Sequence, residues 1–97
     1  MNIELSAKQA CIPNGKAKTY FVQGAQTGLV KIGRTSLRIG YRFTALQVGS
    51  PDLLILLKIT EGDREKEFHK RFAHLRQHGE WFTPAPELLD FVYKFEL

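Results

Sequence analysis

Two short β-forming runs around a glycine-bounded gap constrain this chain most. Thr19 to Gln23 reads Thr-Tyr-Phe-Val-Gln, rich in residues that suit a pleated surface. Gly24 to Gly28 then punctuates the chain, and Leu29 to Ile32 resumes a strand-like pattern. Two strands around a glycine-bounded loop of this length predict a β-hairpin.

Beyond the hairpin the apolar residues change period. Thr35 and Ser36 are placed to cap a helix from about Leu37 to Gln47, with Ile39, Phe43 and Leu46 at i, i+4 and i+7 as its apolar stripe. Gly49-Ser50-Pro51-Asp52 reads as a turn. Leu53 to Ile59 is apolar enough to predict a third strand, central and covered on both faces. Asp63 is placed to cap a second helix from about Arg64 to Gln77, with Phe68, Phe72 and Leu75 buried and Gly79 as its C-terminal cap. Thr83-Pro84 or Ala85-Pro86 opens a third helix, with Leu88, Leu89, Val92 and Phe95 as its apolar face. The expected fold is α+β: a small three-stranded antiparallel sheet flanked by helices, in the order β-β-α-β-α-α. Residues 1–18 read as an N-terminal arm or irregular lead-in, and residues 19–97 as one domain.

Composition narrows the function classes. The single cysteine, Cys11, allows no internal disulfide and fits a reducing, cytoplasmic setting. Met1 to Lys18 lacks a signal-peptide apolar stretch, and the longest apolar run, Leu53 to Leu57, is too short to span a bilayer. No membrane role is expected. In residues 1–60, eight basic residues stand against Glu4 and Asp52, a net of +6; residues 61–97 carry a net of −2. A basic half on a small domain fits a polyanionic partner, although the same charge also serves solubility.

Hydrolysis of a phosphodiester needs an activated water, neutralisation of charge on the phosphoryl oxygens, and a stabilised leaving oxygen. Four residues suit these tasks. Tyr20 and Lys31 lie on the two strands of the hairpin, where pairing can bring them to one face. Arg42 lies in the middle of the first helix, three residues after Ile39 and so beside the buried stripe. Its guanidinium is permanently charged and presents a fork that holds two phosphate oxygens. Glu65 lies in the first turn of the second helix, where an acid is also stabilised by the helix dipole.

The arrangement Tyr20-Phe21-Val22, Lys31-Ile32-Gly33, Arg42 and Glu65 resembles the GIY-YIG nuclease superfamily. The continuation Glu65-x-x-x-His69-x-x-Phe72-x-x-x-Arg76-x-x-Gly79-Glu80-Trp81-Phe82 is similar to the short branch common in bacteriophages and bacteria. The resemblance covers about residues 19 to 92. It implies that Tyr20 matches the tyrosine of the first motif and Gly33 the glycine of the second, where the chain turns tightly. It further implies that Arg42 contacts the scissile phosphate and that Glu65 holds a single catalytic metal, Mg²⁺ or in its place Mn²⁺. Three positions depart from the family pattern. Lys18-Thr19 replaces the Gly-Ile of the first motif, Lys31 replaces the tyrosine of the second, and nothing clearly matches the late asparagine.

The expectation is a metal-dependent endonuclease that cuts DNA rather than RNA. Tyr20 is the favoured proton acceptor, Lys31 stabilises charge on the phosphate, and Arg34 and Arg38 extend the basic surface to flanking phosphates. His69, one turn after Glu65, orients that carboxylate, touches a phosphate, or packs on Phe72. Trp81 and Phe82 either plug the core or stack on bases. His74 and His78 share i, i+4 spacing, but no further ligands accompany them for zinc. The rival readings are a catalytically weak or inactive nucleic-acid-binding module of the same fold, and a purely structural or protein-binding domain. A 97-residue nuclease has no obvious second domain for site choice, so a homodimer or a protein partner is a candidate source of specificity.

Overall fold

The computed structural model describes residues 16–36 and 38–94. The hairpin expected from the sequence is present. Strands β1 (Lys18–Gly24) and β2 (Val30–Thr35) pair antiparallel, with Tyr20 opposite Gly33, Phe21 opposite Ile32 and Val22 opposite Lys31. Gly28 closes the loop at φ 75°, a left-handed conformation that side chains disfavour. Its N–H donates to the Gly24 carbonyl at 2.9 Å. The chain continues through α1 (Ile39–Val48), β3 (Leu54–Glu61), α2 (Glu65–Arg71), a 3₁₀ turn (Ala73–Leu75), β4 (Arg76–His78), β5 (Trp81–Phe82) and α3 (Pro86–Lys94). Most of the expected N-terminal lead-in (residues 1–15), Leu37 and Phe95 lie outside the described residues.

The sheet has five antiparallel strands, in the order β3-β1-β2-β5-β4, which corrects the expected three. The miss lies after Arg71. The stripe of Phe68, Phe72 and Leu75 does face the core, but α2 stops at Arg71 and the stripe finishes in the 3₁₀ turn. Gly79, expected as a helix cap, instead turns the chain between β4 and β5 at φ 54°. Trp81 then pairs with Lys31, and Phe82 with Val30. Strands of three and two residues are too short to show a period of two in sequence.

A second correction concerns β3, expected to be central. It lies at the sheet edge, with Ile55 45% and Leu56 38% exposed. The central strands are β1 and β2. Tyr20, Phe21 and Val22 on β1 are fully buried, because a strand with neighbours on both sides and helices on both faces leaves no side for water. Leu57 falls at a bulge, since Phe21 pairs with Lys58 and Val22 with Leu56.

Alternation along the strands sorts the core into two clusters, one on each side of the sheet. On one side Phe21, Val30, Ile32 and Phe82 meet Phe68 and Phe72 around α2, and Leu88 and Val92 of α3. Phe91 lies 5.3 Å from both the Phe68 and Phe72 rings, edge-on. On the other side Tyr20, Val22 and Leu54 pack under Ile39, Phe43 and Leu46 of α1, beside Trp81. Pro86 opens α3, as expected of a residue with fixed φ and no N–H to orphan. Neither expected side-chain cap forms. Thr35 ends β2, and Asp63 pairs with Arg34 instead of capping α2.

Asp52 ties the hairpin loop to the start of β3. Its buried carboxylate accepts the Gln26 N–H at 3.0 Å, the Thr27 N–H at 3.1 Å and the Thr27 hydroxyl at 3.2 Å. The Thr27 N–H above all, together with that of Gln26, holds this carboxyl below the usual aspartate range. A depressed folded-state pKa adds stability above the unfolded value of about 3.9, and that stability is lost as pH falls through the folded value. Asp52→Asn is therefore expected to lower the melting temperature by several degrees at pH 7. The gap should narrow as pH falls from about 4, where the unfolded carboxylate protonates, through the lower folded-state value; thermal melts across pH check this. No helix among the described residues is long and apolar enough to cross a membrane.

Candidate active site

Tyr20, Lys31 and Gly33 share one face of the hairpin, and α1 brings Arg42 over it. The hydroxyl end of the Tyr20 ring comes close to Gly33. A Cβ at position 33 would sit 2.5 Å from Tyr20 Cζ, so only glycine fits opposite this tyrosine. Gly33 is a mid-strand residue, which corrects the expected tight turn: the glycine answers a close approach of a side chain. The Tyr20 side chain is fully buried, and the Arg42 Nε–H donates to its hydroxyl at 3.4 Å. Arg42 is half-buried, its Nε turned to Tyr20 and its side chain lining an open cleft of about 420 Å³.

Glu65 lines the same cleft from the first residue of α2, together with Arg34, Thr35, Ser36 and Glu80. The start of α2 is fixed by a residue 45 positions away in the chain. The buried Thr19 hydroxyl accepts the Arg64 N–H at 2.8 Å and donates to the Gly62 carbonyl at 2.8 Å. It serves as the cap that Asp63 was expected to supply. Arg34 Nε, 3.6 Å from Asp63 Oδ2, adds a second, exposed tie between β2 and the same loop. Thr19→Val would strand the Arg64 N–H next to the Glu65 backbone. The expected cost is about 1–3 kcal/mol of stability, read by urea unfolding, with a loss of whatever activity depends on Glu65.

Lys31 turns to the β5 side of the sheet. Its ammonium donates to Glu80 Oε1 at 2.7 Å and lies 5.7 Å from the centre of the Trp81 ring. Glu80 faces the cleft of Arg42 and Glu65, while Lys31 and Trp81 line the adjoining one. The pair thus links two clefts. Sequence reasoning places Glu80 within a motif and gives it no role, and reads Thr19 only as a departure. The period-2 pattern of β1 could have flagged Thr19, a polar residue at a buried strand position.

The remaining expected residues fall outside this cleft or at its margin. His69 Nε2 lies 2.8 Å from the Ile32 carbonyl, and its ring meets Phe82 edge-on at 5.0 Å. That contact satisfies the β2 edge where the two-residue β5 ends, and His69 is not among the cleft's lining residues. Phe82 is fully buried in the core. Arg38 is exposed at the N-terminal boundary of α1, one turn before Arg42. His78 sits on β4 rather than on a helix, and His74 pairs with Glu87, so the i, i+4 helical pair does not exist.

Among the described residues, no group of three or more His, Cys, Asp or Glu side chains is placed to cage a metal ion. A hard cation such as Mg²⁺ needs less. It keeps several waters and takes one or two carboxylates plus substrate phosphate oxygens. Glu65, half-buried on the cleft wall and engaged by no hydrogen bond or ion pair among the described residues, fits that demand.

Comparison with known proteins gives one finding. No curated protein and no solved structure matches the chain significantly. The family model of the T5orf172 domain matches residues 17–95, which spans the whole sheet and all three helices. This is a phage-associated domain of the endonuclease-like kind, compatible with a nuclease or a nucleic-acid interaction module. With a match over most of its length, the chain belongs to the T5orf172 domain family.

Proposed function

We propose that this protein hydrolyses phosphodiester bonds of DNA at the cleft between Arg42 and Glu65, by the one-metal route of GIY-YIG-type endonucleases. The observation that carries the reading is one open cleft lined by both a permanent cation and a carboxylate that no described residue engages, with a buried hydroxyl touching each support: Tyr20 for Arg42 and Thr19 for the start of α2. A structural domain has no need to hold either so.

In the proposed reaction, water attacks phosphorus, the bond to the leaving oxygen breaks, and a proton from the water ends on that oxygen. Arg42 binds the non-bridging oxygens of the scissile phosphate, where negative charge grows in the transition state. Tyr20 is a positioning residue: it is fully buried, does not line the cleft, and accepts the Arg42 Nε–H at its hydroxyl. We therefore assign it to aiming Arg42 rather than to accepting the proton from water. Lys31, held as a hydrogen-bond donor by Glu80, supplies a second positive charge beside the cleft. Glu65 would hold Mg²⁺ or Mn²⁺, which supplies charge neutralisation at the phosphate when bound. Arg34 at the rim and Arg38 beyond it add contacts to neighbouring phosphates that position without reading sequence.

Incubating the protein with supercoiled plasmid and with labelled single-stranded DNA, at varied Mg²⁺ and Mn²⁺, tests the reading. Cleavage should require metal and stop on chelation. Lys31→Met removes a cation and leaves Glu80 without its partner; it is expected to slow cleavage by at most about 10²-fold, the lower end for one transition-state donor, because the ammonium is already paired. Absence of metal-dependent cleavage of any DNA, with salt-sensitive binding retained, would identify a binding module instead.

A further inference from the structure

A second cleft adjoins the catalytic one, and its walls have a different chemistry. It has a volume of about 380 Å³ and is lined by Lys31, Leu46, Pro51, Leu54 and Trp81 among others. Trp81 is half-buried, and packs against the Tyr20–Val22–Leu54 cluster while also facing the cleft. Beyond Trp81 a third, mostly apolar hollow of about 150 Å³ continues along Pro51, Leu54, Leu29 and His78. The three depressions form a series. Arg34, Arg42, Glu65 and Glu80 lie at one end, the Lys31–Glu80 pair joins the first to the second, and Trp81, Pro51 and Leu54 are shared by the second and third.

We infer that Trp81 and Pro51 form a pocket for an unpaired nucleobase, placed one step from the phosphate held at Arg42. A nucleobase is flat, has an apolar face and stays tethered to an anionic backbone. The second cleft offers the matching set among its lining residues: an indole and a proline for the faces, and the Lys31 ammonium, which is paired with Glu80 of the phosphate cleft. A base inside a duplex is stacked on both faces and cannot enter, so this pocket selects single-stranded, frayed or extruded nucleotides. The inference rests on the nucleic-acid reading of the neighbouring cleft and deepens it by naming the strand state.

The chain carries one tryptophan, so tryptophan emission reports on Trp81 and its immediate surroundings. The wild-type protein is titrated in chelator, without metal, with three probes: oligothymidylate, the same backbone made abasic, and a duplex at equal phosphate concentration. Quenching of Trp81 emission is expected with oligothymidylate and not with the other two. Trp81→Leu keeps an apolar side chain against the core, with folding checked by circular dichroism. It is expected to weaken oligothymidylate binding by about 5- to 150-fold, the range of one base–aromatic stack, and to leave abasic binding unchanged. Binding of oligothymidylate without quenching, equal quenching by duplex or abasic probe, or no binding would each overturn the pocket. Should Trp81→Leu not fold, the wild-type titration decides alone. Metal-dependent DNA cleavage without quenching would retain the nuclease and remove the pocket. Quenching without cleavage would do the reverse.

Discussion

Arg42→Ala is expected to lower the rate of DNA cleavage by about 10²–10³-fold, the usual cost of removing one transition-state donor. The structure gives the reason for so large an effect on activity and a small one on stability. Arg42 sits within α1, half-buried, and its guanidinium donates to the Tyr20 hydroxyl at 3.4 Å, a long and weak contact. Losing it should cost about 1 kcal/mol of folding free energy. Arg42→Lys keeps the charge but not the fork, and should recover only part of the rate. Glu65→Ala is expected to be as severe, because no other described carboxylate on this cleft is free of an ion pair. Single-turnover cleavage of a labelled substrate, beside a binding titration in chelator, separates the two variants. Arg42→Ala should weaken phosphate contact in both assays, and Glu65→Ala only where metal is present. Cleavage within twofold of wild type in either variant would remove that residue from the site.

Gly33→Ala is expected to destabilise the domain by about 1–3 kcal/mol, although it adds a single methyl group. The new Cβ would meet Tyr20 Cζ at 2.5 Å, and Tyr20 is fully buried in the cluster beneath α1, so the ring has to shift within packed surroundings. For a domain of this size that corresponds to a fall in melting temperature of roughly 4–24 °C. Any displacement of the ring also moves the hydroxyl that Arg42 leans on, so activity should fall in the molecules that remain folded. A double variant with Tyr20→Ala provides the check. If the clash is the cause, the pair should be less destabilised than the sum of its single changes. A melting temperature unchanged by Gly33→Ala would mean that Tyr20 does not lie close to Gly33.

These two residues also show how far reading the chain alone can go. Tyr20 and Gly33 both stand out from their order in the sequence. Their relation, an aromatic ring brought close to a mid-strand glycine, comes from cross-strand register, which no local pattern states. Thr19 and Glu80 make the same point from the other direction. Each acts on a partner 45 or 49 positions away, Arg64 and Lys31, and no local pattern names that partner.

What the sequence by itself determined is what short-range chemistry controls: the β1–β2 hairpin, the amphipathic stripes of α1, α2 and α3, and the proline that opens α3. The tertiary structure alone decided that β3 lies at an edge, that two residues at Trp81–Phe82 make a strand, and that the cleft gathers Arg42 and Glu65 while His69 turns to the Ile32 carbonyl. The physical reason is common to all three: each outcome depends on partners distant in the chain. An apolar run is equally satisfied at a sheet's centre or beside its edge, and a two-residue strand has no period. A histidine beside a backbone carbonyl left unpaired by the end of β5 takes that hydrogen bond because a buried acceptor without a donor costs more than the ring loses by turning away.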